Sequence, residues 1–184
     1  MSEETILLSR DVQGVKIPSG DPIELKAGSP VTITQSLGGS YTVLYANAYL
    51  VRLNPKDADA LGKETAAESA DPHAGEIDDS KIYDKLRLVF DPEIPVNIVD
   101  LGLVYDCQVA KLPEGDEKAG QYKVEVKMTL TAPGCGMGPV IAGDARDKIL
   151  TLPNIADANV ELVWSPPWNQ GMISEVGKMQ LGLM

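Results

Sequence analysis

Residues 124–131 read Val-Glu-Val-Lys-Met-Thr-Leu-Thr, and no other feature limits the fold of this chain as strongly. Val124, Val126, Met128 and Leu130 share one parity; Glu125, Lys127, Thr129 and Thr131 share the other. A period of two is that of a strand with one face on a core and the other toward water. Pro133-Gly134 ends it, because proline cannot donate to a ladder and glycine permits a sharp change of direction. Cys135 falls on that turn, between Gly134 and Gly136, just before Ile141, Ala145, Ile149 and Leu152 recur at helical spacing. The free N–H groups at a helix start favour a thiolate, the form that binds metal or attacks electrophiles.

The neighbouring segments give this strand its partners. Asp78 to Phe90 reads as a helix, capped by Asp78, Asp79 or Ser80 and carrying Ile82, Leu86 and Val89 as one stripe. Asp91-Pro92 ends it, since a residue before proline is pushed out of the α region. Leu103, Tyr105, Cys107 and Val109 alternate as a strand that returns through a polar loop into the central one. After the helix that follows Cys135, Ile155 to Asn159 reads as a turn. A last strand then carries Val160, Leu162 and Trp164 on one face. A final helix from about Ile173 to Leu183 aligns Met172, Val176, Met179 and Leu183. Hairpin strands covered by helices predict an α+β fold, a two-layer α/β sandwich over 78–184.

The first 62 residues have a different grain. Six short apolar runs (Ile6–Leu8, Val15–Ile17, Pro22–Leu25, Ser29–Gln35, Thr42–Tyr45 and Ala48–Leu53) alternate with turn residues such as Pro18-Ser19-Gly20-Asp21 and Gly38-Gly39-Ser40. This pattern predicts a small all-β domain, a barrel or sandwich, over 1–62. Residues 63–77, rich in Ala, Glu, Asp, Gly and Ser, read as a linker holding the single histidine, His73.

A net charge of -11 excludes general binding to nucleic acid or to anionic membrane, both of which need a basic face. No apolar run approaches the roughly 20 residues of a membrane span. The start Met-Ser-Glu-Glu-Thr lacks the basic opening of a signal peptide, so a cytoplasmic location is expected. The two cysteines, Cys107 and Cys135, form no CxxC pair, and one chain cannot wrap a four-thiolate site with them. Cys107, mid-strand among apolar residues, reads as a small buried hydrophobe. Cys135 admits three readings: a structural thiol, a nucleophile with Asp91 or Glu93 as base, and a ligand to a transient metal.

Five motifs occur in order: Asp91-Pro92-Glu93-Ile94-Pro95, Asp100-Leu101-Gly102-Leu103-Val104, Met128-Thr129-Leu130-Thr131, Pro133-Gly134-Cys135 and Trp164-Ser165-Pro166-Pro167-Trp168. Together they resemble the iron–sulfur cluster assembly family that includes SufT and PaaD, over roughly 78–184. Ser9-Arg10-Asp11, Ile17-Pro18-Ser19-Gly20, Thr34 to Gly39 and Asp57 to Gly62 are similar to the N-terminal extension of the long SufT type. The chain departs from many relatives at Ala132, Gly136 and Met137.

The resemblance implies a non-enzymatic factor in iron–sulfur protein maturation, with SUF-type assembly proteins and client apoproteins as partners. Cys135 matches the family cysteine and is the expected metal ligand, for iron or an iron–sulfur cluster held transiently. Asp91 and Glu93 match its acidic loop, and Thr131 precedes the Pro-Gly turn; these complete the expected cofactor-binding set. One sulfur cannot hold a cluster alone, so a homo-oligomer, or a chain with its client, is expected to meet around Cys135. A metal-free adaptor and a thiol enzyme are the alternatives.

Overall fold

The computed structural model describes residues 4–64, 77–115 and 117–183; His73 and the middle of the expected linker lie outside them. Among the described residues, 4–64 form one compact unit and 77–134 with 138–183 another, while 135–137 group with the first.

The first unit contains β1 (Glu4–Leu7), β2 (Val12–Ile17), β3 (Pro22–Leu25), β4 (Pro30–Leu37), β5 (Ser40–Tyr45) and β6 (Tyr49–Leu53). All pairings are antiparallel, in the order β1-β4-β5-β6-β2-β3. Alternate apolar residues, among them Val12, Leu25, Val43 and Val51, turn inward, and a 3-10 helix over Pro55–Leu61 adds Ala60 and Leu61 to that core. Gly38-Gly39 links β4 to β5 as a two-residue hairpin with positive φ at both positions, the conformation a tight hairpin needs. The strand expected from Val15 starts at Val12 instead. Gly14 breaks the apolar pattern, yet only a residue without Cβ fits there, against the Val51 and Leu53 side chains. Arg10 fixes the corner after β1: its Nε and Nη2 reach Asp59 at 2.8 and 2.7 Å, and Nη2 reaches Asp57 at 2.9 Å. These bonds from Arg10 hold the Asp59 carboxyl below the usual carboxylate range.

The second unit is a mixed α+β structure of α1 (Asp79–Leu86), β7 (Val104–Lys111), β8 (Tyr122–Met128), α2 (Gly138–Leu150), β9 (Ile155–Leu162) and α3 (Glu175–Gln180). β8 is the central strand, with β7 antiparallel on one side and β9 parallel on the other, reached through the α2 crossover. α1 packs on β7, α2 on β9, and the two helices on each other, which makes two layers. Tyr122, Val124, Val126 and Met128 are buried under Ile82, Leu86, Ile141 and Ile149, whereas Glu125 and Lys127 face solvent.

Several elements differ from the sequence expectation. α1 ends at Leu86 rather than Phe90: Leu88 N–H turns to Lys85 O and Val89 N–H to Leu86 O, and Phe90 bridges to Asn97. Ile155 to Asn159 is not a turn but the first part of β9, recruited because parallel pairing sets Ala158 beside Val124 in the core. The central strand ends at Met128, and the alternation fails beyond it. Thr129 (1% exposed) and Leu130 (3%) are both buried, so this end of the strand is covered on both sides rather than open at Thr129. α3 is shorter than expected, and its apolar stripe lies outside: Val176, Met179 and Leu183 are 49, 59 and 54% exposed. The face that packs is the small one, with Gly177 against the Asp100 carbonyl.

Candidate functional site

The turn after β8 carries the cysteine. Thr131 is half-buried, Ala132, Pro133 and Gly134 are exposed, and Gly134 has φ +82°, a left-handed conformation suited to glycine. Cys135 is a half-buried free thiol outside any helix or strand. Gly136 is exposed and Met137 fully buried, so the turn is pinned just past the thiol. α2 then begins at Gly138, where a Cβ would stand 2.8 Å from Leu130 Cδ1. The approach of Leu130 to the helix start closes the base of the turn.

Asp91 and Glu93 are brought together, but by a turn. Asp91 is buried, and its Oδ1 accepts the Glu93 N–H at 2.9 Å; the Asp91 carbonyl accepts from Ile94 at 3.2 Å. The Asp91 carboxylate therefore shapes the loop between the two prolines, and Glu93 is left with an exposed side chain. Asp91, Glu93 and Thr131 belong to the second unit, while Cys135 groups with the first. Among the described residues no set of three or more His, Cys, Asp or Glu side chains is gathered for a metal ion.

Cys107 has a different setting. It pairs with Val126 inside the ladder, and desolvation, with smaller effects from Asp79 and Asp106, pushes its thiol up to about 11. Cys107 is thus half-buried in the ladder rather than sealed in the core as expected.

Two features were not foreseen. The first is a knot at Asp100, whose Oδ2 accepts from Asn97 Nδ2 at 2.7 Å and whose Oδ1 accepts from Ser174 Oγ at 2.8 Å. The Asp100 carbonyl also accepts the Ser174 N–H, and Trp168 Nε1 donates to the neighbouring Leu101 carbonyl at 2.8 Å. The Asp-Leu-Gly motif and the Trp-Ser-Pro-Pro-Trp motif are therefore two halves of one clasp. Trp168 closes this clasp through its indole N–H, while Trp164 stays 48% exposed. The second is a cleft of about 690 Å³ lined by Tyr105, Lys127, Val163, Pro166 and Met172. It forms where a bulge between Val104 and Asp106 leaves Tyr105 outside the pairing, so that its hydroxyl donates to the Pro166 carbonyl at 2.9 Å. The even alternation of Leu103 to Val109 conceals that bulge. The Pro-Pro step was the available signal that the chain turns back here.

The second unit is a two-layer α+β scaffold, and Cys135 is a free thiol on a glycine-flanked turn. The model of a family described as iron–sulfur cluster assembly protein matches residues 79–162. The Fe-S protein maturation auxiliary factor SufT of Staphylococcus aureus is 42% identical over 96 residues, which is 52% of this chain and 99% of that protein. The Fe-S protein maturation auxiliary factor YitW of Bacillus subtilis is 37% identical over 55% of this chain and 91% of its own. A crystal structure of a domain of unknown function, DUF59, from Bacillus anthracis shares 36% identity over 57% of this chain and 92% of that chain, with a TM-score of 0.47. The chain belongs to the SufT-like family of iron–sulfur cluster assembly proteins.

Proposed function

We propose that this protein is an auxiliary factor in iron–sulfur protein maturation that carries or helps insert iron or a cluster through Cys135. The observation that carries this reading is a free, half-buried thiol on a turn between Gly134 and Gly136, outside every ladder and helix. A thiolate binds iron without a base, and a single thiolate per chain gives a labile site suited to transfer. The other ligands come from a second chain or from the client, because no donor set is assembled among the described residues. The exposed Glu93 carboxylate and Thr131 are the candidates for hard oxygen contacts, with Asp91 holding Glu93 in its turn. SUF-type assembly proteins and client apoproteins are the partners of this reading, in the cytoplasm, and the chain acts without catalytic turnover. Among the described residues no helix is long and apolar enough to cross a membrane.

Anaerobic reconstitution with iron and sulfide tests the proposal. The wild-type protein gains charge-transfer absorption in the visible range, and Cys135→Ser loses it; absorption unchanged by the substitution would contradict direct binding. A second reading, a metal-free adaptor, draws on the exposed stripe of Val176, Met179 and Leu183 and on Trp164. Under that reading Cys135→Ser complements a deletion strain while Trp164→Ala does not.

A further inference from the structure

Residues 135–137 group with the first unit, and one contact that ties them to it runs backbone to backbone. The turn at 18–21, between β2 and β3, is closed by its own hydrogen bonds. Lys16 N–H donates to Asp21 O at 2.8 Å, Gly20 N–H to Lys16 O at 2.9 Å, and Asp21 N–H to Ser19 Oγ at 3.4 Å. This turn meets Gly136. A Cβ added to Gly136 would overlap the Ser19 carbonyl and stand 3.2 Å from Gly20 N, and a Cβ added to Gly20 would overlap the Gly136 carbonyl. The two stretches approach so closely that neither can carry a side chain there. Gly20, at φ +77°, also needs glycine for its own conformation. Gly136 does not: its φ lies outside the left-handed region, so the neighbour alone excludes a larger residue. Gly134 gives the contrast, because its φ is positive and a Cβ there would meet nothing within 4 Å. Glycine at 134 serves the bend, and glycine at 136 serves the contact.

We propose that the 18–21 turn is a positioning element for Cys135: Ser19 and Gly20, seated on Gly136, fix the backbone one residue beyond the thiol. The fully buried Met137 continues the anchor. The bend at Gly134 then sets where the thiol starts, and the contact at Gly136 keeps it there. A residue outside every ladder and helix has many open conformations, and each anchored neighbour removes some of them. A thiol placed in advance costs less ordering when a partner binds it. The residues that do the positioning are Gly20 and Gly136, and they act through the main chain, with no side chain of their own. The bearing of this contact on cargo transfer rests on the delivery reading above. The positioning itself belongs to the thiol and is read without iron.

Timed alkylation of Cys135 in the full chain carrying Cys107→Ser tests the positioning, with circular dichroism reporting the fold. Gly136→Ala parts the two backbones and raises the alkylation rate on the order of tenfold as the turn opens. Gly20→Ala raises it in the same way. The double variant reacts about as fast as either single one, because one added Cβ already breaks the contact. Gly28→Ala is the control. Gly28 also has a positive φ, on another turn of the same unit, and a Cβ there would meet nothing within 4 Å. It strains the β unit equally and leaves the Cys135 rate unchanged. An unchanged rate in Gly136→Ala, additive effects in the double variant, or a Gly28→Ala rate equal to that of Gly20→Ala overturns the proposal. Expected rates in a protein that takes up no iron would sink the delivery reading and leave the positioning standing.

Discussion

Cys107 and Cys135 are both free and both half-buried, yet the chain holds them in opposite ways. Cys107 is built into a ladder: β8 pairs along its strand, Val126 sits opposite, and loss of water around the sulfur raises its thiol to about 11. Cys135 stands on a turn with exposed glycines before and after it and no ladder to either side. Half-burial thus has two different causes here. A thiol in a regular strand is locked into one direction and desolvated by its neighbours, whereas one on a turn can swing toward an incoming partner.

The largest expected effect separates the two sulfurs by reactivity. In Cys135→Ser the remaining Cys107 alkylates near neutral pH about a hundredfold more slowly than a thiol at the ordinary 9.0, because its value of about 11 leaves that much less thiolate. Its rate climbs as pH rises through about 11. In Cys107→Ser the remaining Cys135 reacts the faster of the two, and mass spectrometry after timed iodoacetamide quenching reads both. The same shift has a stability sign. A folded-state value raised above 9.0 stabilises the native protein below that pH, and this contribution is lost as pH rises from 9.0 through about 11. Equal alkylation rates for the two cysteines would erase the distinction.

A smaller effect lies in stability. Cys107→Ser puts a hydroxyl into a partly desolvated strand position and costs about 1–2 kcal/mol in urea unfolding. Cys135→Ser, on the turn, stays within about 0.5 kcal/mol of the wild type. Reversal of that order would place Cys135, not Cys107, among the packed residues.

The regular parts of this molecule were legible and the joins were not. The alternation of Val124 to Met128 and the stripe of Ile82 and Leu86 encode their burial directly, because each follows one period against one core. Thr129 departs from its period because the chain leaves the ladder at Met128 into surroundings that cover both faces. Ile155 to Asn159 looked like a turn because Asp157 and Asn159 are poor strand formers; the parallel partner β8 overrode that preference. The apolar stripe of α3 suggested burial, but Gly177 and the Ser174 cap decide which side docks. At the candidate site, the turn bearing Cys135 could be read from Pro133-Gly134. Asp91 and Glu93 beside proline could be read either as hard ligands or as caps on the following backbone, and the Asp91 Oδ1 bond to the Glu93 N–H gives Asp91 the capping part. The Asp100–Ser174 bond joins residues 74 positions apart and had no local signal at all.

Iron and acid-labile sulfide, measured in protein purified without oxygen, test most directly whether Cys135 carries the cargo. The wild-type protein and Cys107→Ser should retain both elements in like amounts, and Cys135→Ser should retain neither. Equal iron and sulfide in all three proteins, or none in any of them, would contradict a delivery role for the thiol on the turn.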